Sequence, residues 1–153
     1  MKIVRTKDVE WAESLNQGAF FQRRKALGGE KLSAGMWELP PGKKSFPLHA
    51  HYVTEEALFV ISGTAKVRTL EGLTPIGPGD FVSFPAGGPA HQLINDGAEP
   101  MVYLALGVSQ GVDVVEYPDS GKIAAAIGAR PAGKRFIFKK DTQVEYFDGE
   151  KDA

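Results

Sequence analysis

The sequence predicts an all-β fold, a sandwich or barrel of many short strands, on three observations. Eighteen glycines and ten prolines punctuate short runs rich in Val, Ile, Leu and Phe, the spacing of a chain built from strands and tight turns. From Ser45 onward these runs recur at even intervals. Connectors such as Pro78-Gly79-Asp80 and Asn95-Asp96-Gly97 are too short for helical crossovers and suit antiparallel neighbours.

The elements follow in order. Residues 1–31 read as an N-terminal arm, polar and irregular, anchored by Trp11, Leu15, Phe20 and Phe21. A strand over 32–39 is stopped by Pro40-Pro41-Gly42, because proline cannot donate to a ladder and glycine accepts turn dihedrals. Strands are then expected over 45–51, 57–61, 65–70, 81–84, 91–95, 101–106 and 113–117. Pro118-Asp119-Ser120-Gly121 reads as a turn, 123–127 as a short helix or a strand, 135–139 as a further strand, and 148 onward as a polar tail. With 42% hydrophobic residues in 153, the chain can bury one substantial core. It is therefore read as one domain, residues 1–153: a barrel core over 32–117, the arm over 1–31 and a C-terminal extension over 118–153.

Charge and composition narrow the function. Eighteen basic residues against 19 acidic ones leave a formal net charge of -1, which provides no positive field for DNA or RNA. Arg23-Arg24-Lys25 and Lys134-Arg135 are short clusters and read as solvated edges. No apolar run approaches the length of a signal peptide or a membrane span, so a soluble, cytoplasmic protein without nucleic-acid or membrane partners is expected. The absence of cysteine removes disulfides, thiolate metal sites and a cysteine nucleophile. Gly128 to Lys134 fits the glycine-rich spacing of a phosphate loop, but Arg135 stands where Ser or Thr would meet Mg²⁺, and Pro131 and the strand-like 135–139 deny it a helix N-terminus.

The chain has three histidines, His49, His51 and His91. Residues two apart on a strand project to the same face, so His49 and His51 point together with Cβ atoms about 7 Å apart. Glu55 and Glu56 follow a sharp bend at 52–54; their opposite parity means that at most one faces inward. His91 opens a later strand after 85–89, and antiparallel folding can bring it opposite the first pair.

These residues carry a resemblance. Gly42, His49, His51, Glu56 and Gly63 resemble the first cupin motif: a glycine, HxH, a glutamate three or four residues on, and a glycine after six more. The last interval selects Glu56 over Glu55. Gly79, Pro85, Gly87, His91 and Asn95 resemble the second motif. Leu48 adds one residue ahead of His49, and 88–90 is one residue longer than the usual gap; both insertions lie in turns, where they are tolerated.

The resemblance, covering 32–106, implies a double-stranded β-helix, or jelly-roll barrel, with one divalent transition metal ion held by His49, His51, Glu56 and His91. Three imidazoles and a carboxylate suit Fe(II), Mn(II), Ni(II), Co(II), Cu(II) or Zn(II). Proteins with this ligand set are similar to dioxygenases and oxidases, and to isomerases in which the ion polarises a carbonyl. A metal-dependent oxidoreductase of dioxygenase type acting on a small organic substrate is expected. The alternatives are an isomerase or epimerase of a sugar-like or keto compound, and a non-catalytic binding or sensing module. Glu56 is the candidate catalytic base, and a homodimer is the expected assembly. Leu58, Val60, Leu93 and Asn95 share the barrel-facing parity, while Trp37, Phe46, Phe84 and Tyr103 read first as core and second as pocket wall.

Overall fold

Strand parity sorts the chain into an inside and an outside. Leu58 and Val60 are buried while Phe59 and Ile61, between and after them, are exposed, the period-2 pattern of a strand with one face against a core. A computed structural model describes residues 1–29, 31–108, 111–128 and 133–151. Its strands are β1 (Ala12–Gln17), β2 (Phe20–Gly28), β3 (Leu32–Leu39), β4 (Ala50–His51), β5 (Glu55–Ser62), β6 (Ala65–Arg68), β7 (Leu73–Ile76), β8 (Phe81–Phe84), β9 (Gln92–Ile94), β10 (Met101–Val108), β11 (Val112–Tyr117), β12 (Lys122–Ile127) and β13 (Lys134–Lys139).

One wall is a six-stranded antiparallel sheet in the order β1-β2-β3-β10-β5-β8. The other is made of two shorter sheets, β7-β6-β9 and β13-β12-β11-β4, joined by an antiparallel bridge between His49 and His91. The core between the walls contains Leu39, Leu58, Val60, Ile76, Phe84, Leu93, Met101 and Tyr103. The expected all-β barrel is the architecture found.

Two local expectations are revised, one strand is added and one alternative is resolved. The N-terminal arm is not irregular: 12–28 forms the β1–β2 hairpin, and β2 pairs with β3. The strand expected over 45–51 is reduced to Ala50–His51; Pro47 has no N–H to continue a ladder, and Ser45 keeps a single backbone bond to Leu93 O at 2.9 Å. Strand β7 was hidden by Pro75, which is accommodated because β7 is an edge of its sheet and edge strands tolerate a missing donor. The helix-or-strand alternative at 123–127 resolves to strand, paired on both sides by β11 and β13. Of the phosphate-loop look-alike, 129–132 lie outside the described residues; Lys134 opens a strand rather than a helix.

Two motif residues are structural. Gly63 has φ 73°, and a Cβ there would lie 2.2 Å from Pro100 O, so the turn between β5 and β6 requires glycine on both counts. Asn95 is fully buried. It donates to Leu39 O at 2.8 Å and Glu99 O at 2.9 Å, and accepts from Gly97 N at 2.9 Å, tying the β3 end, the turn after β9 and the approach to β10 into one knot. Asn95→Ala leaves the buried Leu39 carbonyl without this donor, and a loss of roughly 3 kcal/mol is expected in urea unfolding monitored by circular dichroism, with Asn95→Asp nearly as damaging.

Candidate metal centre

His49 and His91 face each other across the seam of the second wall. His49 N donates to His91 O at 3.2 Å and His91 N donates to His49 O at 2.8 Å, so the two form a hydrogen-bonded antiparallel pair whose side chains leave the same face. Their ring centroids are 4.8 Å apart. His51, two residues along, projects with His49 at a centroid distance of 4.9 Å. Glu56 comes from the opposite wall, where β5 places it beside Gly107 of β10 and Phe84 of β8. Its Oε2 lies 3.5 Å from His51 Nε2 and 3.4 Å from His91 Nε2. Candidate ligand atoms of His49, His51 and Glu56 all lie within 4.8 Å of one another. Glu55 is exposed, as opposite parity requires.

The far side of each ring is pinned. His49 Nδ1 lies 2.8 Å from Pro47 O, His91 Nδ1 lies 3.4 Å from Pro89 O, and His51 Nδ1 lies 2.5 Å from Asp113 Oδ2. Carbonyl and carboxylate oxygens only accept, so in each neutral ring the proton belongs on Nδ1 and the lone pair on Nε2. Such outer hydrogen bonds orient metal-binding imidazoles and raise their basicity. His49, His51 and Glu56 therefore form a group that could hold a divalent transition ion, and His91, the fourth residue of the expected set, lies beside it with its Nε2 3.4 Å from Glu56 Oε2.

Asp113 escaped the sequence reading. It is buried, and beyond His51 it accepts from Val53 N at 3.0 Å and Thr54 N at 3.4 Å, so one carboxylate fixes both the ring and the bend leading to Glu56. A signal was present: Asp113 shares inward parity with buried Val115, and an inward acid needs a partner.

Burial favours uncharged His49, and the neighbouring His91 and His51 add to this, lowering its pKa from 6.5 to about 4. Burial alone would push the Glu56 carboxyl up; its interactions with His91, His51 and His49 outweigh it and hold the group below the usual carboxylate range. For Asp113 burial likewise opposes ionisation, and the bonds from His51, Thr54 and Val53 prevail.

Beside these groups opens a cavity of about 100 Å³, several times the space one water needs. Trp37, Phe46, Phe84 and Tyr103 all line it. Their first reading as core is incomplete because, in a barrel with an open mouth, the inward face is both core and pocket wall. Phe84 stacks on His91 with centroids 3.8 Å apart, and Phe46 meets His49 edge-on. Leu58 and Leu93 also line the space, whereas Val60 and Asn95 lie deeper. No Lys or Arg is among the lining residues described.

Two outcomes are expected. Asp113→Asn removes the anionic acceptor behind His51 and should weaken Zn(II) binding about 10- to 100-fold, read by competition with a chromogenic chelator. In metal-free protein, the unfolded chain takes up a proton at His49 below pH 6.5 while the folded chain resists until about pH 4. Stability should therefore fall as pH drops through that window, with a slope of up to ~1.4 kcal/mol per pH unit from this group; His49→Gln should remove that component in urea titrations.

Comparison with known proteins adds the lineage. The family model described as "Cupin domain" matches residues 35–107. The chain is 30% identical to a protein of Acidithiobacillus ferrooxidans named as a candidate sugar phosphate isomerase, covering 91% of this chain and 90% of that one with a TM-score of 0.81. A cupin-superfamily protein of Silicibacter pomeroyi, named as a sugar phosphate isomerase, is 23% identical over 96% of this chain and 98% of that one, with a TM-score of 0.79. A Thermotoga maritima protein, named as a predicted oxalate decarboxylase, is 21% identical over 70% of this chain and 98% of that one, with a TM-score of 0.63. No curated protein matches. Motif residues, two-walled barrel and relatives agree: the chain belongs to the cupin superfamily.

Proposed function

We propose that the protein is a metal-dependent oxidoreductase of dioxygenase type, acting on a small organic compound with one chelating polar end and a largely apolar body. The observation that carries this reading is the convergence of three pinned imidazoles and Glu56 beside a pocket walled by Trp37, Phe46, Phe84 and Leu93, with no cationic lining residue. A bound divalent ion would supply Lewis acidity and, if redox-active, electron transfer to O₂. The remaining work falls to the chain. The histidines hold their Nε2 lone pairs inward, the aromatic wall excludes water and orients the substrate body, and Glu56, the one carboxylate among the lining residues described, is placed to take a proton from the polar end of the substrate.

Isomerisation of a sugar-like or keto compound is the second reading, favoured by the name of the 30%-identical relative. A sugar offers many hydroxyls that need partners, and apart from His49, His91 and Glu56 the lining side chains contribute only Ser45, Tyr103 and the indole N–H of Trp37 as polar groups; this weighs toward the apolar substrate. The measurement that separates the two is O₂ uptake by Fe(II)-loaded protein with small oxidisable chelators, against solvent deuterium incorporation into sugars and keto acids without O₂ consumption. O₂ uptake abolished by Glu56→Gln is expected; deuterium wash-in alone would replace the first reading by the second.

We further read the working form as a homodimer. The chain exposes 9887 Å², whereas a compact monomer of 16.5 kDa exposes about 7,600 Å². The excess of roughly 2,300 Å² exceeds the ~800 Å² per partner of a stable interface. Edge strand β13 presents Phe136, Ile137 and Phe138, each about half exposed, an edge that a second copy would cover. Light scattering should give twice the 16.5 kDa chain mass, and Phe138→Lys should shift it toward one chain.

A further inference from the structure

We propose that Arg24, stacked on Trp37 beside the cavity, recognises the anionic end of the substrate, a carboxylate or phosphate, while the polar end lies at the histidines. This rests on the reading of the cavity as the substrate site and specifies its substrate class.

Strand register places Arg24. Arg24 pairs with Trp37 across β2 and β3, Trp37 with Tyr103 across β3 and β10, and Tyr103 with Val60 across β10 and β5. Side chains in one such row leave the same face of a sheet, and Trp37, Tyr103 and Val60 face the interior. Arg24 is thus the exposed end of an inward row, its Cζ 5.6 Å from the Trp37 ring centroid. Its neighbours are engaged elsewhere. Arg23 is paired with Glu38 and lies over Trp11; Lys25 donates to Thr6 O at 2.8 Å and also lies over Trp11. Among the described residues no carboxylate pairs with Arg24. A guanidinium stacked by its face keeps its N–H edges free for bidentate contact with an oxyanion.

A second observation points the same way. Gln22 lies two residues from Arg24 on the same face and is 0% exposed. Its Oε1 accepts from Tyr103 OH at 2.6 Å, yet its Nε2 has no partner among the described residues. Buried donors without partners are rare and need an explanation. This one sits against a ring that lines the cavity. Gln22 is sealed behind Tyr103 and backs the row, while Arg24 is exposed and is a donor without a carboxylate partner among the described residues, so the complementary ligand end is an acceptor. Strands β2 and β5 are three spacings of about 4.8 Å apart, and the row that starts at Arg24 ends at Val60, four residues or about 13 Å along β5 from Glu56, so the backbones of Arg24 and Glu56 are roughly 20 Å apart in the sheet. An extended arginine and the reach of the histidine cluster leave a gap that a ring with a two- or three-carbon acid tail spans.

The test uses Trp37 fluorescence in full-length Trp11→Phe protein loaded with Zn(II). The probe 3-(3,4-dihydroxyphenyl)propanoate chelates by its catechol and carries a carboxylate tail; its methyl ester lacks the charge. The acid should bind at least tenfold more tightly than the ester. Arg24→Gln should bring that ratio below twofold with ester affinity unchanged, and Arg24→Lys should restore part of it. If Arg24 merely covers Trp37, its loss weakens acid and ester alike. Glucose 6-phosphate against glucose forms the phosphate arm, and the arm with the larger Arg24-dependent preference identifies the oxyanion. Absence of preference in both arms, or a preference that survives Arg24→Gln, overturns the proposal. Chelator treatment keeps the two readings apart: if stripping Zn(II) leaves both affinities unchanged, the metal reading fails while the acid-to-ester ratio still reports on Arg24.

Discussion

The site depends on two backbone hydrogen bonds. His49 and His91, distant in sequence, exchange both their amide bonds across the seam of the second wall, and this pairing aligns their imidazoles on one face. It also joins β7-β6-β9 to β13-β12-β11-β4, so the contact that assembles the donor set also completes the barrel wall. Pro47 and Pro89 sit two residues before each histidine, and their carbonyls accept from the two Nδ1 atoms. The same short segments thus set ring position and ring tautomer.

Electrostatics at this point runs against the ordinary preferences of a core. Three imidazoles and a carboxylate packed together have two ways to lower their energy: staying neutral, or sharing charge with a cation. Burial takes His49 along the first route, and Glu56 stays ionised because His91 and the other imidazoles compensate its desolvation. Asp113 supplies a second negative charge behind His51. Nitrogen lone pairs beside an ionised carboxylate are what a divalent ion completes, and Asn95 and Gly63 supply the rigid surroundings that a preorganised centre needs.

The cavity wall differs in kind from the donor set. Aromatic and aliphatic side chains make up most of it, the histidines and Glu56 concentrate its polar capacity, and Arg24 stands outside it, over the lining ring of Trp37. Such a distribution favours a ligand with polar termini and an apolar middle, and it disfavours a polyhydroxylated one, whose groups would lose water without gaining partners. Within one fold, substrate chemistry is chosen by these wall residues rather than by the metal ligands.

Much of this was legible in the chain itself. Gly and Pro punctuation with period-2 alternation determined the all-β class, and strand parity, a local property that any single strand expresses, put His49 beside His51 and let at most one of Glu55 and Glu56 face inward; the resemblance to the cupin motifs then selected Glu56 and added His91. Composition hid what tertiary contacts decided. The N-terminal segment became the β1–β2 hairpin because β3 offered an edge, Pro75 was admitted to β7 because that strand is itself an edge, and Asp113 became the partner of His51 only when β11 was laid beside β4. Likewise, Trp37 and Arg24 are ordinary residues in sequence and share a cavity rim only through cross-strand register. Periodicity along the chain states which way a side chain points; what it meets there depends on partners far away in sequence, and only the folded backbone brings those into place.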